Sequence, residues 1–169
     1  MLESCTSLQS LEISNCDELR ELPDDLGSLE PLETLEISYC ENLQLIPYPS
    51  GQKGLSSLRR LKISYCKRLS NLPSEMLESC TSLQSLQILN CDELRELPDD
   101  LGSLGSLEIL IITGCEKLSH LPSKEAMQRL TKLRIWYCPL LEEQCRPDNS
   151  EWPKISHIPE VWINEERIR

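Results

Sequence analysis

The chain has 169 residues, enough for one ordinary domain that buries roughly two thirds of its unfolded surface. Seventeen basic residues against 28 acidic ones give a formal net charge of -11, which repels phosphate backbones and anionic lipid and excludes nucleic acid and membrane surfaces as expected partners. The nine cysteines are an odd number and no Asn-x-Ser/Thr acceptor is present, so a secreted disulfide framework is a poor fit and a reducing compartment is expected.

In chain order, residues 1–7 read as the tail of a preceding unit. Six copies of Leu-x-x-Leu-x-Ile-x-x-Cys follow, starting at Leu8, Leu32, Leu58, Leu83, Leu107 and Leu130. Their cysteines, Cys16, Cys40, Cys66, Cys91, Cys115 and Cys138, are spaced by 24, 26, 25, 24 and 23 residues, within the period of a leucine-rich repeat. In each copy the Leu-x-Ile alternation puts both apolar side chains on one face of a short strand. Successive strands should stack in parallel into a ribbon on the order of 25 Å long that lines a concave side. Each of the first five strands is followed by an aliphatic-proline pair, Leu22-Pro23, Ile46-Pro47, Leu72-Pro73, Leu97-Pro98 and Leu121-Pro122, which suits the start of an irregular or short helical convex segment such as 24–29. The predicted fold is therefore an α/β-type leucine-rich-repeat solenoid over residues 8–138, with a C-terminal capping segment at 139–169.

Residues 1–29 match residues 76–104 at every position except Glu12 against Gln87 and Ser14 against Leu89, so three repeats were duplicated together. Met1 is then the counterpart of Met76 inside a convex segment. On that ground the chain is expected to start in mid-unit without an N-terminal cap, as a fragment or a truncated gene product would.

The cysteine-ended repeat, the run Cys138-Pro139-x-Leu141 and the tail Glu151-Trp152-Pro153-Lys154-Ile155-x-His157-Ile158-Pro159 resemble the C-terminal end of plant intracellular immune receptors. These are the nucleotide-binding leucine-rich-repeat disease-resistance proteins of the coiled-coil class. The resemblance implies a cytoplasmic module that senses pathogen effectors or holds the receptor's nucleotide-switch domain inactive. No Gly-x-x-x-x-Gly-Lys-Ser/Thr loop occurs; the run Gly51-Gln52-Lys53-Gly54 has the wrong spacing and falls in a convex loop, so no cofactor is expected.

The cysteine column is expected to be structural, each small thiol satisfying carbonyls of the adjoining turn, with no Cys-x-x-Cys pair to favour a metal. Cys5, Cys80 and Cys145 are read as packing residues. His120 and His157 are too far separated in sequence to suggest a Cys/His nucleophile, and the acidic turns at Asp17-Glu18, Asp24-Asp25, Asp92-Glu93 and Asp99-Asp100 read as solvated flanks. No enzymatic activity is expected.

The informative residues lie between the two apolar strand positions, Glu12, Glu36, Lys62, Gln87, Ile111 and Arg134, which grade from acidic to apolar and basic. With their neighbours they form a candidate protein-contact face: Glu36, Tyr39, Arg59, Arg60, Lys62, Tyr65, Gln87, Leu89, Ile111, Arg134, Trp136 and Tyr137. A competing expectation stacks Tyr39 on Tyr65 and packs Trp136 and Tyr137 against the cap, while Trp152, Ile155, Ile158, Val161 and Trp162 close the last repeat's core. Two other functions fit this pattern: the substrate-recognition array of a ubiquitin ligase, for which an upstream F-box is missing, and a receptor fragment with no independent role.

Overall fold

Alternation of apolar and polar residues dictates a strand with one buried side, and the computed structural model, which describes residues 7–48, 54–98 and 104–169, realises this in one sheet. The strands are β1 (Ser10–Ser14), β2 (Thr34–Ser38), β3 (Arg60–Ser64), β4 (Ser85–Leu89), β5 (Ile109–Thr113), β6 (Lys132–Trp136), β7 (Glu160–Ile163) and β8 (Glu166–Arg167). They lie in chain order, parallel from β1 to β7, with β8 folding back antiparallel on β7.

Register follows the motif without slippage. Leu11, Leu35, Leu61, Leu86, Leu110, Leu133 and Val161 form one inward row, and Ile13, Ile37, Ile63, Ile88, Ile112, Ile135 and Ile163 a second. From β2 onward both rows are buried, whereas Leu11 and Ile13 on β1 are only partly covered. A one-residue slip would expose both rows at once, which is why apolar burial holds the register.

The residue before each motif cysteine turns the chain out of its strand through a left-handed backbone: Asn15, Tyr39, Tyr65, Asn90, Gly114 and Tyr137 have φ between 51° and 64°. That turn aims its N–H at the last carbonyl of the next strand. Asn15 donates to Ser38 O at 3.1 Å, Tyr39 to Ser64 O at 3.0 Å, Tyr65 to Leu89 O at 2.8 Å, Asn90 to Thr113 O at 2.7 Å and Gly114 to Trp136 O at 2.8 Å. The thiol of the following cysteine donates to the carbonyl two residues before it, as in Cys66 to Ser64 O at 3.6 Å and Cys138 to Trp136 O at 3.2 Å. One carbonyl thus accepts both a turn N–H and a thiol, so the cysteine row seals the strand exits.

The opposite side of each repeat is irregular. Asp24–Ser28 is a 3-10 turn capped by Pro23, and α1 (Ser74–Ser79) begins after Pro73. The last segment holds α2 (Pro139–Gln144) and α3 (Trp152–Ile155), then supplies β7. The motif counts six strands and the structure has a seventh parallel one, because Val161-Trp162-Ile163 keeps the alternation after losing the cysteine. Residues 1–6, the counterpart Met1, Cys5, Gly51-Gln52-Lys53 and Asp99-Asp100 lie outside the described residues.

Two neighbouring repeats come close together where Gly54 faces Gly27. A Cβ on Gly54 would come within van der Waals overlap of the Gly27 carbonyl, whereas one on Gly105 would meet nothing within 4 Å. Gly54→Ala should therefore lower the urea-unfolding free energy by about 2 kcal/mol or more, while Gly105→Ala should change it by less than about 0.5 kcal/mol.

Candidate protein-recognition surface

The outward side chains of the sheet form three rows. The central row runs Glu12, Glu36, Lys62, Gln87, Ile111, Arg134 and Trp162; one flank runs Arg60, Ser85, Ile109, Lys132 and Glu160, and the other Ser64, Leu89, Thr113 and Trp136. Of the residues expected to make contacts, Glu36, Arg60, Lys62, Gln87, Leu89, Ile111, Arg134 and Trp136 lie on this face. Arg59 precedes β3 at the strand start, and Tyr39, Tyr65 and Tyr137 lie in the left-handed turns, so these four stand on the rims and not on the sheet.

Trp162 corrects the expectation that it closes the core. Its neighbours Val161 and Ile163 are buried, so alternation turns Trp162 to the outward face, where the Arg134 guanidinium lies 5.8 Å from its ring centre. Ile155 and Ile158 are fully buried as expected, and Trp152 packs at the core's edge. The sign of Trp162 was readable from the alternation Val-Trp-Ile, but only once those residues are recognised as a strand.

Charges on this face are largely satisfied within the array. Lys62 pairs with Glu36 at 2.6 Å, and Glu160 accepts from Lys132 at 3.0 Å and from the Trp162 indole at 2.9 Å, with Arg134 at 3.8 Å. The hydrogen bond from Lys132, assisted by Trp162 and Arg134, holds the Glu160 carboxyl below its ordinary value. The acidic-to-basic gradient read along the row is therefore softened, since the acid and base at Glu36 and Lys62 neutralise one another.

At the strand-exit rim, Tyr39 and Tyr65 stack with ring centres 4.5 Å apart and planes 7° from parallel. Both also remain exposed, so the stack presents a flat aromatic surface to solvent. Farther along the rim Tyr137 is 74% exposed, and with Trp136 it walls a cavity of about 590 Å³ whose other side is Pro139, Glu142, Asn164 and Glu165. Trp136 and Tyr137 thus face the closing segment across an open space. Glu142 is committed to this corner, accepting from Cys138 N at 2.8 Å and from Asn164 Nδ2 at 2.7 Å.

The tail motif acts as a clamp. Glu151 is buried and accepts from Leu121 N at 2.9 Å, while Lys154 donates to Leu121 O at 3.0 Å and pairs with Glu151 at 2.9 Å. The backbone of Leu121 is gripped at both its polar groups, and His120 approaches the same carboxylate at 3.3 Å. His157 lies 3.0 Å from Met127 O, tying the tail to the same convex segment. Burial raises the Glu151 carboxyl, but the bonds from Lys154, Leu121 N–H and His120 outweigh it and leave the group below its ordinary value.

Burial favours the protonated form of most of the described thiols, whereas the hydrogen bond with Cys115 lowers Cys138. Burial pushes Cys66 up to about 11 and Cys80 and Cys91 up to about 12, and it raises Cys40 and Cys145 as well. Cys115 is raised by its hydrogen bond with Cys138 and by burial. A buried neutral thiol is a poor nucleophile and a poor ligand. Among the described residues no group of three or more His, Cys, Asp or Glu is placed to hold a metal ion. His120 and His157 contact Glu151 and a backbone carbonyl, and are not brought to a thiol by any hydrogen bond.

The leucine-rich-repeat family profile matches residues 7–29. A probable disease resistance protein of Arabidopsis thaliana is 29% identical over 113 residues, which is 67% of this chain and 6% of that protein. An LRR protein of Leptospira interrogans, known from its solved structure, shares 21% identity with a TM-score of 0.41 over 96% of this chain and 50% of that one. The chain thus spans a small part of the plant relative and half of the bacterial one.

Because the Glu151 carboxyl is depressed on folding, its contribution to stability is fully present above the ordinary carboxyl range and is lost as pH falls through its folded value. Glu151→Gln should cost about 2 kcal/mol at pH 7. The difference from wild type, followed by urea unfolding, should shrink as pH is lowered below about 4.5.

Proposed function

This chain is a leucine-rich-repeat array with the sequence character of a plant disease-resistance protein, and from that premise we propose that it is the protein-recognition part of an intracellular plant immune receptor. In this reading residues 8–138 are the recognition array and residues 139–169 its closing segment, working in the cytoplasm. The array senses a pathogen effector, holds the receptor's nucleotide-switch domain inactive, or does both by exchanging one for the other.

The observation that carries the reading is the outward cluster at the C-terminal end of the sheet. Arg134, Trp162 and Trp136 lie side by side there with Ile109 and Ile111 one strand away, and Tyr137 borders them on the rim. Exposed aromatic and arginine side chains on a rigid sheet give large contact area at small entropic cost, which is the composition of binding hot spots. Nothing in the inward packing requires them to be aromatic, since burial on that side is already complete with Leu133, Ile135, Val161 and Ile163. The leucine-rich-repeat fold is an interaction scaffold, and a binding role accounts for the surface without an enzymatic step. Among the described residues no helix is long and apolar enough to cross a membrane.

The reading is tested by binding between the purified chain and the coiled-coil plus nucleotide-switch segment of its parent receptor, with circular dichroism confirming the fold. Trp136→Ala, Arg134→Ala and Trp162→Ala should each weaken that binding by about 1 kcal/mol or more with little loss of stability. Binding unchanged in all three variants would remove this face from the function. A folded chain that ignores the switch segment would shift the role to direct effector recognition.

A further inference from the structure

Ion pairs tie some of the neighbouring turns along the strand-exit flank, and the C-terminal end of that flank carries acids outside those pairs. Lys67, directly after its motif cysteine, pairs with Glu41 of the preceding repeat at 2.8 Å, and Lys117, two residues after its own, pairs with Glu93 at 2.6 Å. Glu116 follows Cys115 directly, and its counterparts in the neighbouring repeats are Asp92, after Cys91, and Pro139, after Cys138, neither of which offers a cation. Glu165, in the turn between β7 and β8, stands across the same cavity, and among the described residues neither carboxylate forms an ion pair. The nearby Glu142 is already occupied by Cys138 N and Asn164.

Trp136 and Tyr137 line the same cavity, Tyr137 held exposed by the left-handed backbone that Tyr39 and Tyr65 share. The space is about 590 Å³, within the range of sites that enclose a ligand group. Aromatic faces beside carboxylates match a cation that is planar, weakly hydrated and able to stack and hydrogen-bond at once. With no group of three or more His, Cys, Asp or Glu arranged for a metal among the described residues, a side-chain cation fits better than an ion.

We propose that the cavity between β6 and the closing segment takes an arginine side chain from a protein partner, its guanidinium lying against Trp136 and Tyr137 and its N–H groups meeting Glu116 and Glu165. This rests on the protein-recognition reading and narrows its partner chemistry: the bound segment is basic, in keeping with a chain whose net charge is -11. The arginine supplies Glu116 with the cation that its neighbours in the row, Asp92 and Pro139, do not.

The test is an NMR titration of the full chain with acetyl-Gly-Arg-Gly-amide and with the same peptide carrying citrulline, which keeps the shape and loses the charge. The arginine peptide should give saturable shifts centred on the Trp136 indole and Tyr137, and the citrulline peptide should bind at least about fivefold more weakly. E116Q/E165Q should abolish most of that preference while leaving the remaining spectrum in place. No saturable shift, equal binding of both peptides, or a preference that survives E116Q/E165Q would each overturn the proposal. Arginine binding without any affinity for the receptor's switch segment would leave the cavity assignment standing and count only against the clamp role.

Discussion

The hydrogen bond from each left-handed turn to the last carbonyl of the next strand sets the geometry on which everything else depends. It is made by Asn15, Tyr39, Tyr65, Asn90 and Gly114 in succession, and it locks the end of one strand to the end of its neighbour. With the strand ends aligned, the inward Leu and Ile rows superpose, and stacking identical apolar rows buries each against the next. The cysteine thiols then satisfy the same carbonyls from within, which leaves no polar group stranded at the tightest point of the repeat. Conformational cost enters here too, because a tyrosine at positive φ is strained where glycine would not be.

That alignment has a functional consequence. Because the inward rows carry the apolar packing, the outward rows are left to a mixture of polar, charged, aliphatic and aromatic side chains, tied in part by cross-strand ion pairs. In this chain they are not a uniform charged stripe. The lysine and glutamate partners at Lys62 and Glu36, and at Lys132 and Glu160, cancel within the array and leave the aromatic side chains and the unpaired acids of the C-terminal end as the distinctive surface. The tail clamp of Glu151 and Lys154 on Leu121 fixes that end in place, so the closing segment can form one wall of a cavity instead of lying flat on the core.

Much of this was legible from residue spacing. The period of the cysteines and the Leu-x-Ile alternation specify six strands, their order and the buried rows, because burial of one face leaves a single register. Trp162 was misassigned because its strand lacks the terminal cysteine, so alternation there had no frame until β7 was seen to pair with β6. The rim was only half visible: Tyr39, Tyr65 and Tyr137 were named as contacts, but their place in turns depends on a backbone sign that no periodicity encodes. The importance of Glu151 and Lys154 was hidden for another reason, since their partner is a backbone amide on a different repeat and not a side chain with a readable type.

Ile111 and Ile112 offer the most direct test, because they are the same residue, adjacent on β5, and differ only in which side of the sheet they face. Ile112 is fully buried and Ile111 lies between Gln87 and Arg134 on the outward row. Urea unfolding of the two alanine variants should show Ile112→Ala losing about 3 kcal/mol and Ile111→Ala less than about 1 kcal/mol. Equal losses at the two positions would contradict the register, and with it the division into a packing side and an outward side.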